Sequence, residues 1–311
     1  MLISLNLNIN KIVSLIGGKK LRDEQVMMKL ILNIANSDER IRAVYMNGSK
    51  VNYNVKKDVF QDYDIVFVVS ETKSFLDDKN WINLFGEIAI VQEPDSRDFG
   101  WGSNHDCNYS YTWLMLFKDG NRIDLRIEVK DVALERYLSD TLTQKLLDKD
   151  DFLPEISPSN DMTHWIKPPT KEMYFGCCNE FWWCLNNVGK GIGRNQIPYA
   201  MRMYTEVVHP QLDKMIEWYI AMNNNFTIST GMWGKYFSKY LPLEFYDMYL
   251  NTYSDCDLNN FWDAIFTCCE FFSIIAKQVS EKFDYIYNIK DEENIMQYLN
   301  NIKDNLYYIM S

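Results

Sequence analysis

The stretch "YMNGSKVNYNVKKDVFQDYDIVFVV", residues 45–69, joins a turn-like segment to an apolar run that begins directly after two acids. Asp62 and Asp64 are two residues apart, so on a strand they share one face, about 7 Å from each other, while Tyr63 and Ile65 face the core. Two carboxylates this close repel each other unless a cation lies between them, and hard oxygen ligands favour Mg²⁺. The stretch therefore predicts a strand whose first residues bind a divalent cation.

A third acid lies in the later segment "NRIDLRIEV", residues 121–129. Asp124 stands between two apolar residues, where a charge within a strand is costly unless it is paired or bound to a metal. If its strand lies beside that of Asp62 and Asp64, the three acids would complete a site for two Mg²⁺ ions.

The turn that precedes the paired acids, "NGSK", supplies hydrogen-bond donors. Gly48 can adopt backbone conformations that other residues avoid and lets a phosphate approach the main chain, while Ser49 adds a hydroxyl and Lys50 a positive charge. A Gly-Ser turn and an Asp-x-Asp pair are weak signals by themselves. Their order, with the acid-bearing strand of Asp124 to follow, is more specific.

The two halves of the chain have different periodicities. Residues 21–36 have helical spacing, and the strand-like segments "RIRAVYMNG", "YDIVFVV", "EIAIVQEP", "YTWLMLFKDG" and "NRIDLRIEV" follow, the last two joined as a hairpin through "KDGN". A proline-rich segment at 148–170 interrupts the pattern, and helical spacing dominates after it. This predicts an α+β chain with a mixed-sheet domain at 1–155 and a helical-bundle domain at 156–311.

The order of these motifs is that of the nucleotidyltransferase superfamily, which has the polymerase β-like fold. The segments "RIRAVYMNGS", "FQDYDIVFVV", "LPEISPSND" and "NEFWWCLNNVGKGIGR" resemble the aminoglycoside 6-adenylyltransferases, which inactivate streptomycin, and the resemblance covers nearly the whole chain. It implies a nucleotidyltransferase domain followed by a helical domain, with ATP and drug bound between them. It also implies two-metal transfer of AMP from ATP to the 6-hydroxyl of streptomycin. Lys50 departs from the family, in which arginine is usual at this position.

Further residues are candidates for contacts with the substrates. Lys190 and Arg194, in "VGKGIGR", either contact the triphosphate or form a solvated helix end. Trp101 lies in a polar loop, where its indole could stack on a sugar or a guanidinium group. Glu87 begins "EIAIV" and is the expected general base, provided that this strand neighbours that of the paired acids. Glu93, at the other end of that segment, is the alternative base and a candidate substrate contact.

The charge of the chain favours a small cationic partner. With 32 basic and 43 acidic residues the net charge is −11, a field that repels nucleic acid and suits a drug that carries two guanidinium groups. The apolar runs are far shorter than the roughly 20 residues of a membrane span, and the N-terminus lacks a secretory pattern. We therefore expect a monomeric cytoplasmic protein without a nucleic-acid or membrane partner.

The seven cysteines include no Cys-x-x-Cys pair, which favours reduced, buried thiols. Cys177, Cys178 and Cys184 could gather a metal with His164 or His209, but their spacing does not require it.

Two alternative functions stay open at this point. The first is a superfamily enzyme that modifies a nucleic acid 3′ end or a protein side chain, against which the acidic composition argues. The second is a nucleotide-binding protein of the same fold without catalysis, against which the presence of all three acids argues.

Overall fold

The computed structural model describes residues 21–102 and 104–309. The chain divides into two compact units, one ending at Thr163 and the other beginning at His164. The first twenty residues, over which the sequence lacks a secretory pattern, lie outside the described residues.

The segment after the predicted boundary at residue 155 belongs with the first unit. The amide of Asn160 donates to the carbonyl of Thr141 at 3.0 Å. The amide of Thr163 donates to the hydroxyl of Thr141 at 3.1 Å. These hydrogen bonds hold the segment against the end of the sheet, so the unit ends later than the change in periodicity suggests.

The first unit is built around a mixed six-stranded sheet with the strand order β3-β4-β5-β2-β1-β6. Strands β2 and β5 pair parallel, and the other neighbours pair antiparallel. The strands are β1 (Ile41–Asn47), β2 (Tyr63–Val69), β3 (Ile88–Gln92), β4 (Ser110–Phe117), β5 (Arg122–Val129) and β6 (Thr143–Asp148). The helices are α1 (Glu24–Ser37), α2 (Lys73–Asp77), α3 (Pro94–Arg97) and α4 (Lys130–Ser139), with 3₁₀ turns at Ser49–Val51, Trp81–Phe85, Asp98–Trp101 and Met162–His164.

The two faces of the sheet bury separate cores. Helix α1 contributes Met27, Ile31 and Ala35, four residues apart, to the core on one face, together with Ile65 of β2. On the other face, residues of α4 pack on residues of β1 and β2 in a smaller core, in which the ring centroids of Tyr45 and Tyr137 are 5.3 Å apart. On this second face β5 presents polar side chains in place of core residues, and β2 presents Asp64, which leaves room for a site beside α4.

The predicted helix and strands of the first half are present, and β4 and β5 form the expected hairpin. Gly120 has a φ of 88° in the turn, a conformation that favours glycine. Strand β6 was not predicted. Its sequence "TQKLLD" has one β-branched residue, Thr143, and no aromatic residue, and within the described residues it is an edge strand that pairs with β1.

The second unit is helical, so the α+β class is confirmed. Its helices are α5 (Lys171–Gly193), α6 (Ile197–Met203), α7 (His209–Met222), α8 (Phe237–Tyr240), α9 (Leu243–Leu250), α10 (Leu258–Phe283) and α11 (Ile289–Ile309), with a 3₁₀ turn at Met232–Gly234. A π-helical turn at Tyr204–Val208 joins α6 to α7. Pro210 follows it, and because proline has no amide hydrogen the wider turn accommodates the missing hydrogen bond.

The core of the second unit is rich in aromatic residues. The rings of Phe181 on α5 and Phe272 on α10 stack with centroids 3.7 Å apart, and Trp182 packs edge-on against the same phenylalanine. Trp183, in contrast, is exposed. Two of the three aromatic residues at 181–183 are therefore core residues. No helix in the described part of the chain is long and apolar enough to span a membrane.

Candidate active site

Two carboxylates lie side by side at the start of the parallel strand pair. Asp64 of β2 and Asp124 of β5 are register partners, and neighbouring strands are about 4.8 Å apart. Because partners in register point to the same face, both side chains lie on the face that α4 covers in part. The expected adjacency of the two acid-bearing strands is thus found.

The turn after β1 lies directly against one of these acids. Gly48 has a φ of 78°, and a Cβ atom placed on it would lie only 2.0 Å from Oδ2 of Asp64. Glycine is therefore required here twice, for its backbone conformation and for its missing side chain. The 3₁₀ turn Ser49–Val51 follows at once, and Nε2 of Gln61 donates to the carbonyl of Ser49 at 3.1 Å. The turn and the start of β2 therefore form one tightly packed structure.

Lys50 is the buried cation of this turn. Only 9% of the residue is exposed, and its Nζ lies 4.1 Å from the centroid of the Tyr63 ring. Burial lowers the pKa of the Lys50 ammonium, and neighbouring acids, among them Asp62, oppose this effect. The aromatic face and these acids compensate in part for the lost hydration, so the positive charge is held over the Tyr63 ring, near Asp62.

Arg122, the first residue of β5, connects two of the three predicted metal ligands. Its Nε and one terminal nitrogen each donate to Asp124 at 2.7 Å, and its other terminal nitrogen lies 3.4 Å from Oδ2 of Asp62. Burial raises the pKa of the Asp62 carboxyl, and the charge of Asp124 raises it as well, whereas Arg122 and Lys50 lower it. Asp62 and Asp124 therefore form one electrostatic group with Arg122 and Lys50, and Asp64 joins it through its charge interaction with Arg122.

The donor set of this group fits a divalent cation. Asp64 and Asp124 offer hard oxygen ligands from one face, and Mg²⁺ commonly uses one or two carboxylates and completes its shell with water and substrate phosphates. In the described part of the chain, no three His, Cys, Asp or Glu side chains stand together closely enough to hold a metal. The metal roles of Asp64 and Asp124, and the participation of Asp62, therefore stay predictions.

A polar cavity of about 370 Å³ opens beside the carboxylate pair. Its lining includes Asp64 and Asp124 together with residues that sequence reasoning missed, which are Asn47, Thr112, Arg126, Arg136, Ser139 and Asp140. The strict alternation of "RIDLRIEV" could have revealed Arg126, because it places residues 122, 124, 126 and 128 on one face. Asp140 follows α4 and has no sequence signal of this kind.

A buried carboxylate anchors the two arginines of this cavity. Glu128 is fully buried and pairs with Arg126 and with Nε of Arg136, the latter at 2.8 Å. The hydroxyl of Tyr45 donates to the same carboxylate at 3.1 Å. Removing one member would leave a buried charge without its partner, which is costly, so this cluster fixes one wall of the cavity.

The position of Glu87 corrects one expectation. Its strand, β3, is not a neighbour of β2, since β4 and β5 lie between them. The Glu87 side chain pairs with Lys118, the residue that follows the last residue of β4. The prediction that Glu87 is the general base requires β3 and β2 to be neighbours. The order of the strands does not meet this condition.

Glu93 lies on the wrong face of the sheet for the alternative role. Its carboxylate accepts a hydrogen bond from the hydroxyl of Tyr111 at 2.9 Å. The Tyr111 ring belongs to the α1 core, on the face opposite to the carboxylate pair. Glu93 therefore does not share a face with Asp64 and Asp124.

The other predicted contacts lie outside this group. Trp101 is 90% exposed at the end of a 3₁₀ turn, consistent with an indole that can stack on a ligand. Lys190 and Arg194 are exposed at the carboxyl end of α5 in the second unit, and their roles stay predictions. His209, part of the alternative Cys/His metal hypothesis, is buried and hydrogen-bonds to the hydroxyl of Thr252 at 2.8 Å.

Comparison with known proteins gives consistent matches over most of the chain. The family model described as streptomycin adenylyltransferase matches residues 21–302. An aminoglycoside 6-adenylyltransferase of Staphylococcus aureus is 34% identical over 288 residues, covering 92% of this chain and 100% of the relative. One from Bacillus subtilis (strain 168) is 36% identical over 273 residues, covering 88% of this chain and 95% of the relative. A crystal structure of an aminoglycoside 6-adenyltransferase from Bacillus subtilis, 32% identical, covers 91% of this chain and 99% of that chain with a TM-score of 0.45.

Proposed function

Because the chain belongs to the streptomycin adenylyltransferase family and is a nucleotidyltransferase, we propose that it transfers AMP from ATP to the 6-hydroxyl of streptomycin and releases pyrophosphate. Adenylylation of this hydroxyl would inactivate the drug and confer resistance on the cell. The relatives are named for the 6-position of aminoglycosides, and the net charge of −11 suits a cationic acceptor.

One observation carries this proposal: the register pair of Asp64 and Asp124 lies directly against the turn at Gly48. The turn presents main-chain donors to a phosphate, and the acids present oxygen ligands to a cation at the same point. Nucleotidyl transfer requires these two elements to meet, because the metal and the phosphate must be neighbours during the reaction. An ordinary surface turn would not require a glycine packed against a carboxylate.

We assign the metal ligands to Asp64 and Asp124, with Asp62 as the third, as the sequence predicted. Two Mg²⁺ ions bound there would stabilise charge at the α-phosphorus and lower the pKa of the attacking hydroxyl. The Lys50 ammonium lies over the Tyr63 ring near Asp62, from where it would bind the triphosphate as a point charge, and Ser49 would add a hydroxyl contact. The main task of these residues is to hold ATP in position for direct in-line attack by the drug.

We assign the role of general base, which accepts the proton of the attacking hydroxyl, to Asp140. It lines the same cavity as Asp64 and Asp124 but does not belong to the strand acids. Its Oδ1 accepts hydrogen bonds from the amide of Leu142 at 2.8 Å and from the hydroxyl of Thr163 at 3.1 Å, which fix the orientation of the carboxylate. A positioned carboxylate near the reacting hydroxyl typically contributes about 10²–10⁴ in rate.

The proposal is tested by incubating the full chain with ATP, Mg²⁺ and streptomycin and recording the mass of the drug. We expect the addition of one AMP, with NMR placing it on the 6-hydroxyl, and no product when EDTA is present. A panel of other aminoglycosides measures the acceptor range. If the chain hydrolysed ATP or modified another acceptor but left streptomycin unchanged, the assignment of the drug would be wrong.

A further inference from the structure

The guanidinium of Arg122 occupies a specific place among the acids of the candidate site. It binds both carboxylate oxygens of Asp124 at 2.7 Å and lies 3.4 Å from Asp62. The Arg122 side chain is 43% exposed, whereas the side chains of Asp124 and Asp62 are 20% and 35% exposed. The arginine thus covers its partners from the solvent side.

This contact neutralises the oxygen atoms that a metal would use. A bidentate pair between arginine and a carboxylate is one of the stronger charge-assisted contacts in proteins, and it occupies both oxygens at once. In "RIDLRIEV" Arg122 and Asp124 are two residues apart and share one face, so the contact is local and forms whenever the strand forms. A cation that approaches Asp124 therefore meets the positive charge of the guanidinium and has to share the carboxylate with it.

We propose that Arg122 is a built-in counter-cation that competes with the divalent metal for Asp124 and Asp62. Before metal binds, it relieves the repulsion between these acids. When metal binds, it moves away from at least one oxygen of Asp124. Arg122 thereby weakens metal binding to the free protein and sets the metal concentration at which the site fills. This inference rests on the proposed metal-dependent function.

The proposal is tested by measuring Mn²⁺ binding to the full chain without ATP or drug, by electron paramagnetic resonance of the free ion. The neutral variant Arg122→Gln should lower the Mn²⁺ dissociation constant roughly tenfold, which is about 1.4 kcal/mol. Arg122→Lys keeps the charge but loses the bidentate contact, so its dissociation constant should lie between the other two. In the absence of metal, Arg122→Gln should also unfold at a lower urea concentration, because Asp124 and Asp62 then repel each other without a counter-charge.

Lys118→Gln is the matched control. It removes one positive charge from the same hairpin, but Lys118 pairs with Glu87 and not with the acids of the site. We expect its Mn²⁺ affinity to stay within about twofold of the unmodified chain, since the Lys118 charge is already paired with Glu87 and exposed charges are screened by salt. An equal gain in Mn²⁺ affinity in Arg122→Gln and Lys118→Gln would show that the effect comes from net charge alone. That result would overturn the proposal.

Two further results would overturn the proposal. Weaker Mn²⁺ binding in Arg122→Gln would show that Arg122 positions Asp124 for the metal and does not compete with it. Unchanged binding, or no binding to any of these proteins in millimolar Mn²⁺, would show that there is no competition. None of these results depends on whether streptomycin is adenylylated, so the mass spectrum described above tests the proposed function separately.

Discussion

Gly48 and Asp64 are packed so closely that a Cβ on the glycine would lie 2.0 Å from Oδ2 of the acid. The φ of 78° at Gly48 adds a second restriction, because residues with a side chain rarely adopt it. The turn can therefore reach the carboxylate only if this residue is glycine.

The first prediction is that Gly48→Ala lowers kcat/KM at least about 100-fold, since a displacement of the order of 1 Å at a reacting site can cost this much. The variant should also lose about 1–3 kcal/mol of folding free energy from backbone strain. Steady-state kinetics and urea unfolding measure the two effects. Gly100→Ala is the control, because a Cβ at Gly100 meets nothing within 4 Å and its φ is not positive. Near-normal activity in Gly48→Ala would show that the turn does not bind ATP.

The second prediction concerns the carboxylate pair. Asp64→Asn should nearly abolish transfer and leave the chain folded, because a neutral amide is a poor ligand for Mg²⁺. A loss of about 4 kcal/mol in transition-state stabilisation corresponds to roughly a thousandfold in rate. The control is Asp131→Asn, an exposed acid on α4. Activity above a tenth of the unmodified level in Asp64→Asn would remove this residue from the metal site.

Periodicity could predict that Asp64 and Asp124 are acids on strands, but their proximity depended on the condition that the two strands are neighbours. A single acid within an apolar strand must find a compensating partner, and the paired acids on β2 offered the same chemistry. The alternation that singles out Asp124 also places Arg122, Arg126 and Glu128 on the same face of β5, as the register with β4 shows. Sequence reasoning used only the acid, because a charged residue in a strand is usually solvated and the burial of Glu128 depends on tertiary packing.

The neighbours of each strand could not be predicted in the same way. The apolar pattern of "EIAIV" fits any position in a sheet, and periodicity does not say which strands are adjacent. Within the described residues, β3 is an edge strand that pairs with β4. The other side of β4 is occupied by β5, its partner in the hairpin. Residues that approach the site through a loop, such as Asp140 after α4, depend on packing that no local pattern encodes.

The third prediction follows from the environment of Lys50. Burial lowers the pKa of its ammonium, so the positive charge is lost at a lower pH than for an exposed lysine. The kcat/KM for ATP should therefore decline on the alkaline side, because the triphosphate loses its cationic partner. Lys50→Arg should remove this decline, since arginine stays charged, and Lys50→Gln should raise the KM for ATP roughly tenfold at neutral pH. The same alkaline decline in Lys50→Arg would assign the titration to another group.

The fourth prediction concerns Trp101, whose side chain is almost fully exposed. If its indole stacks on the drug, Trp101→Ala should raise the KM for streptomycin about 2- to 30-fold, the range expected for a cation–π contact of roughly 0.5–2 kcal/mol, with the KM for ATP unchanged. Trp233→Ala serves as the control, because Trp233 is equally exposed at 90% in the second unit. Equal effects on both substrates, or none, would show that Trp101 does not bind the drug.

The last prediction separates two candidate bases by matched variants. Asp140→Asn keeps an acceptor for Leu142 and Thr163 but cannot take a proton, so kcat should fall about 100-fold with the KM for ATP nearly unchanged. Glu87→Gln should stay within about twofold of the unmodified enzyme, because two strands separate β3 from β2 and an exposed ion pair with Lys118 contributes little to stability. If Glu87→Gln lost activity and Asp140→Asn kept it, the proton would pass to Glu87 in a rearranged edge of the sheet. If both variants kept kcat within about twofold of the unmodified enzyme, the attacking hydroxyl would lose its proton to solvent without a side chain as base.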